Sequence, residues 1–163
     1  MFQLVLALIA GPIQPADSLP AWVSVDSAKR SVTFELVVTR PPGASSALIN
    51  GSASNKLQLV VPRGWTVNWR LRNEDSTSAH SLVVMTEREK LPQEGGRPAF
   101  TNAMTRSLMA GLPSGGSDST TFEADEAGWY WLLCGVPAHA IAGEYISLRV
   151  DPEATGVSVK SKA

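Results

Sequence analysis

Short alternating runs, each cut off by turn residues, leave this chain little room for anything but β-structure. Residues 65–71 set Trp65, Val67, Trp69 and Leu71 against Thr66, Asn68 and Arg70. That period of two turns one face of a strand towards a core. Residues 31–39 repeat it with Val32, Phe34, Leu36 and Val38, and pair with residues 21–26 across the polar turn Asp26-Ser-Ala-Lys-Arg30 as a hairpin. Further strand runs are residues 57–61, 81–85, 128–134 and 143–150, with 117–123 as an edge strand. No long amphipathic helix is found, and the 13 Gly and 11 Pro are scattered among the apolar runs. The expectation is an all-β, Greek-key β-sandwich of about seven or eight strands, a single domain over residues 21–151.

The segments between and beyond the strands read differently. Residues 1–10 are apolar and Gly11-Pro12 would break them, as after the core of an export signal. No Lys or Arg precedes Lys29 and no Ala-x-Ala site follows, so an atypical signal, a short anchor and a first strand all remain open. Residues 1–20 are taken as this signal, or as an anchor and spacer that would give peripheral membrane association. The run is too short to span a bilayer. Residues 40–55 read as a loop, and Asn50-Gly-Ser52 within them has the glycosylation pattern. Residues 86–116 form a long Pro- and Gly-rich excursion, with a helical turn expected in residues 98–109. Residues 152–163 are expected to be a disordered tail.

A net charge of −1 gives no electrostatic footprint for nucleic acid. A single cysteine, Cys134, excludes an internal disulfide. Cys134 ends the run 128–134, and His139 lies on the turn that follows it. The other histidine, His80, opens the run 81–85. Parity puts Tyr130, Leu132 and Cys134 on one strand face, and His80, Leu82 and Val84 on one face of another. If both are core faces, a thiolate and two imidazoles can meet at the strand ends above apolar layers. Such a set suits copper or zinc. A buried inert thiol is the plain alternative. An enzyme using Cys134 as nucleophile would need an electropositive niche, and a strand end does not supply one. The five tryptophans, Trp22, Trp65, Trp69, Trp129 and Trp131, all lie in strand runs and read as packing.

Cys134-Gly-Val-Pro-Ala-His139-Ala-Ile-Ala-Gly143 resembles the ligand loop of the cupredoxins, most closely the sulfocyanin-like members with Cys-Gly-Val-Pro-Gly-His-x-x-x-Gly-Met-Trp. Trp22-Val-Ser-Val-Asp26, residues 55–67, Ala79-His80-Ser81 and Gly111-Leu-Pro-Ser-Gly115 are similar to family segments in the same order. The resemblance spans about Trp22 to Val150. It implies one copper ion in a type 1 site on His80, Cys134 and His139. It also implies a monomeric, exported one-electron carrier, periplasmic or extracellular, that exchanges electrons with protein partners. One position departs from the pattern: where the axial methionine stands in the family, this chain has Glu144. A carboxylate is harder than a thioether, favours Cu(II), and would give a perturbed type 1 site. Glu144 is thus a candidate fourth ligand, with a turn to solvent or an ion pair as its alternatives. Met104 and Met109 are candidates for an axial donor from the long loop. A red-copper or copper-handling protein binding a small molecule, and a structural zinc module, are the competing functions.

Overall fold

The computed structural model describes residues 18–162. The reading of residues 1–17 as a signal or anchor falls outside them. Ten strands run through the described residues: β1 (Val23–Asp26), β2 (Ser31–Thr39), β3 (Leu48–Ile49), β4 (Leu57–Pro62), β5 (Trp65–Asn73), β6 (Val83–Thr86), β7 (Ser117–Ala124), β8 (Gly128–Leu133), β9 (Tyr145–Asp151) and β10 (Ser158–Ser161). They form two sheets, β1-β2-β5-β7 with β3 also on β2, and β10-β4-β9-β8-β6. β2 and β5 run parallel, as do β4 and β9, while the other pairs are antiparallel. This is the expected all-β sandwich. The expected hairpin is β1–β2, and β7 is an edge strand as read from its polar composition.

The alternation builds the core directly. Val32, Phe34, Leu36 and Val38 of β2 and Val67, Trp69 and Leu71 of β5 face Leu59, Val61, Tyr130, Leu132, Ile146, Leu148 and Val150 of the other sheet in one buried cluster. Each aliphatic side chain buried there contributes about 1.5–3 kcal/mol relative to exposure. Leu82 and Val84 join the same cluster. Cys134 and His80, next along those faces, therefore sit at the end of the packed layer.

Three segments differ from expectation. Within residues 152–163, expected as a disordered tail, residues 158–161 are ordered: β10 pairs antiparallel with β4, Ser158 opposite Val60 through Ser161 opposite Leu57. The strand forms because Val157 and Val159 pack on the core and the free edge of β4 offers backbone partners. The loop of residues 40–55 contains the two-residue β3. Residues 98–109 contain turns and no helix. Instead they hydrogen-bond along the open edge of β6, with Val84 N–H donating to Ala103 O at 2.9 Å and Thr105 N–H to Leu82 O at 2.8 Å. The excursion also contributes Leu91 and Leu108 to a second apolar cluster with Val83, Trp131, Leu133 and Ala140 on the outer face of β6 and β8. Trp131 is thereby buried, while Trp129 stays 46 % exposed under the Arg149 guanidinium, 4.4 Å from its ring centre.

Candidate metal centre

Three chain segments deliver the candidate ligands, and each is pinned by its backbone. His80 exchanges two backbone hydrogen bonds with Leu112, at 3.1 and 2.7 Å. The approach needs Gly111, which has φ +75°, and a Cβ there would lie 2.8 Å from the His80 nitrogen. Cys134 lies one residue beyond β8. The loop after it closes on itself: Cys134 N–H donates to Glu144 O and Glu144 N–H to His139 O, both at 3.1 Å. The loop is clasped from outside by Gly95 N–H donating to Gly135 O, and Ala138 N–H donates to Gln93 O.

Ala138 stands at φ +69°, a left-handed conformation that costs a non-glycine residue about 1–2 kcal/mol. The resembling loops carry glycine there. Ala138→Gly should therefore raise the denaturation midpoint. The gain is up to about 1 kcal/mol, because glycine's greater freedom in the unfolded chain offsets part of the relief. A lower midpoint would contradict the strain argument.

Side-chain donor atoms of His80, Cys134, His139 and Glu144 all lie within 4.8 Å of one another. His80 Nδ1 is 2.9 Å and His139 Nδ1 3.3 Å from Glu144 Oε2. Cys134 Sγ is 4.0 Å from His80 Nδ1 and 3.5 Å from His139 Nδ1. An imidazole nitrogen binds a metal such as zinc at about 2.0–2.1 Å and a thiolate at about 2.3 Å, so two such donors can stand no more than about 4.4 Å apart. Both separations fall inside that limit. Glu144 is buried, and its Oε1 has no hydrogen-bond partner. A buried carboxylate oxygen left without a partner beside two imidazoles and a thiol fits a cation. Glu144 neither turns to solvent nor pairs with Lys or Arg. Met104 and Met109 are 41 % and 42 % exposed, which does not suit a donor to the buried cluster.

The protonation chemistry follows from burial. Burial, and then the charge of Glu144, push the Cys134 thiol up to about 12. A thiol held neutral in this way is a poor nucleophile, which disfavours the cysteine-enzyme alternative. Ser81 N–H donates to its sulfur at 3.4 Å. Burial also works to lower His80, but Glu144 and Asp75 outweigh it and leave His80 raised. Glu144 is lowered because His139 and His80 outweigh its own desolvation. A metal taking Sγ and His80 Nδ1 must therefore displace one proton from the thiol and, below the raised pKa of His80, a second from the imidazole. Metal affinity should therefore rise with pH, roughly tenfold per unit above the His80 pKa, towards about 12, and more steeply in acid. A Zn(II) competition titration across pH checks the slope. A flat profile would contradict it.

Asp75 was not singled out in the sequence, yet it touches the site. Its Oδ2 lies 2.8 Å from His80 Nε2 and accepts from Arg40 Nε at 2.9 Å. Its Oδ1 accepts from Thr77 N–H and from the Thr77 hydroxyl. Burial alone would raise this carboxyl; the Thr77, His80 and Arg40 bonds together hold it well below the usual range. The only local signal was its place in the polar loop 73–78, followed two residues on by a threonine able to cap it.

A family model described as the sulfocyanin (SoxE) domain matches residues 20–158. Sulfocyanin of Sulfolobus acidocaldarius is 27% identical over 129 residues, which cover 75% of this chain and 64% of that protein. The chain thus spans less than two thirds of the length of this curated relative. Among solved structures, reduced rusticyanin superposes with a TM-score of 0.52 at 21% identity, covering 75% of this chain and 85% of its own. Reduced auracyanin from the photosynthetic bacterium Roseiflexus castenholzii gives 0.50 at 24% identity, covering 72% and 97%. These two likenesses concern the fold.

Proposed function

The chain belongs to the sulfocyanin (SoxE) domain family, and from that membership we propose that it is a copper protein that carries single electrons between protein partners outside the cytoplasm. The observation that supports this most is the meeting of two imidazole Nδ1 atoms, one thiol and one carboxylate oxygen within 4.8 Å at the end of a packed β-sandwich. His80, Cys134 and His139 are the residues that would hold copper, with Glu144 Oε2 as the fourth donor. Copper so held supplies a Cu(II)/Cu(I) couple, and no bond of a substrate needs to form or break.

The protein's own part is to keep the donors still. His80, Cys134 and Glu144 are buried. His80 and Cys134 continue strand faces, and the loop of residues 135–143 is fixed by its hydrogen bonds to residues 93–95. Rigid donors change position little between oxidation states, which keeps reorganisation small. The apolar layer below them excludes water and shapes the potential. His139, its side chain 22% exposed against 0% for His80, is the ligand nearest solvent and the proposed port for electrons. A net charge of −1 implies little long-range steering of partners.

Cyclic voltammetry of the copper-loaded protein tests the carrier reading. A reversible one-electron wave that survives repeated cycling is expected. Copper loss on reduction would favour a copper-handling role instead.

A further inference from the structure

The sequence motifs stop at the four candidate ligands, but the hydrogen bonds continue behind one of them. We infer that Asp75, braced by Arg40 and Thr77, is a positioning residue that fixes which nitrogen of His80 faces the metal and sets how strongly that nitrogen donates. The inference rests on the copper reading above and extends it to residues outside the ligand set.

Three donors other than histidine point at the two oxygens of Asp75: the Thr77 amide at 2.8 Å and hydroxyl at 2.6 Å, and Arg40 Nε at 2.9 Å. A carboxyl that accepts from three donors, one of them a guanidinium, is present as the carboxylate, and His80 Nε2 lies 2.8 Å from its Oδ2. Its partner nitrogen on His80 must then carry the proton. With Nε2 holding a proton, the lone pair available for a metal is on Nδ1, the nitrogen facing Glu144 and Cys134. A hydrogen bond from the far nitrogen to a carboxylate also makes a ligating imidazole a better donor.

The contact is structurally over-determined. Asp75 and His80 are both buried, at 2 % and 0 % exposure. The loop between them is closed by Asn73, whose Oδ1 accepts from Asp75 N–H and whose Nδ2 donates to Ser78 O and Leu112 O. Leu112 is also the backbone partner of His80. One short loop therefore fixes both the main chain and the ring of this ligand. Arg40 reaches in from beyond β2 and balances the carboxylate charge.

Opposite charges on Asp75 and Arg40 give the inference a distinctive sign. Replacing the carboxylate by an amide weakens electron donation through His80 and disfavours Cu(II), so the potential should rise. Removing the guanidinium leaves the carboxylate less neutralised and favours Cu(II), so the potential should fall. A loop that merely scaffolds would loosen in both cases and shift both potentials the same way, or neither.

The experiment compares Asp75→Asn and Arg40→Gln with the parent protein. The ratio of Cu(II) to Cu(I) affinity is expected to fall about tenfold in Asp75→Asn, a rise of about 59 mV for a one-electron couple. Arg40→Gln should show a smaller shift of opposite sign. In the metal-free protein, the 1H–15N spectrum should show a protected His80 Nε2 proton that exchanges faster in Asp75→Asn. Shifts of the same sign, no shift, or an Nε2 proton indifferent to Asp75→Asn would overturn the inference. If Asp75→Asn does not fold, Arg40→Gln decides alone: a fall supports the inference, and an unchanged or raised potential overturns it. Failure of the parent protein to form any thiolate-to-copper band would sink the copper reading separately, and the Nε2 proton would still decide the positioning role.

Discussion

Cys134→Ser is expected to abolish the intense visible absorption of the copper-loaded protein altogether, because that band is charge transfer from thiolate sulfur to copper. The substitution keeps the side-chain volume nearly unchanged, so the sandwich should still fold. It replaces the soft donor by a hydroxyl that does not ionise near neutral pH. His80, His139 and Glu144 would remain, and three such donors still hold Cu(II). What they lack is the soft ligand that stabilises Cu(I). Cu(I) affinity should therefore fall much further than Cu(II) affinity, and the reversible wave should disappear. Visible absorption and voltammetry on one sample read both effects. A retained band would place the sulfur outside the copper's coordination.

Glu144→Met should convert the site to a bluer one with a higher potential. Glu144 Oε2 lies 2.9 and 3.3 Å from the two imidazole nitrogens, inside the donor cluster. As an anionic, hard oxygen it favours Cu(II); the neutral thioether favours Cu(I). The rise should exceed the about 59 mV that corresponds to a tenfold change in relative affinity, because a full charge is removed from a buried position. The exchange also removes the orphaned oxygen and the negative charge that helps keep the Cys134 thiol protonated. Metal uptake near neutral pH should accordingly lose less to proton competition. Equal colour and potential in both proteins would make Glu144 a bystander.

Much of this was legible in the chain because two simple periodicities carried it. Alternation in residues 31–39 and 65–71 placed the inner face of one sheet, and the same parity aimed Cys134 and His80 at one end of the core. His139 and Glu144 were reachable from loop spacing once the resemblance of residues 134–143 was noticed. The parts that escaped have a common physical origin in long-range pairing. β10 is a short polar segment that becomes a strand only because β4 has a free edge and the core accepts Val157 and Val159. Residues 98–109 carry a composition compatible with a helical turn, yet β6 offers unpaired backbone groups that a helix could not satisfy. Asp75 is the clearest case. Its partners are Arg40, 35 residues earlier, and His80, five residues later. No periodicity predicts such a meeting; loop closure through Asn73 brings it about.

A Cu(II) titration of the purified protein, followed by visible absorption and electron paramagnetic resonance, tests the central claim most directly. One equivalent of copper should produce an intense thiolate-to-copper band. Its position and hyperfine splitting should be displaced from the ordinary blue type by the carboxylate of Glu144. No coloured species at any ratio, together with tight binding of zinc, would contradict an electron carrier built on His80, Cys134, His139 and Glu144.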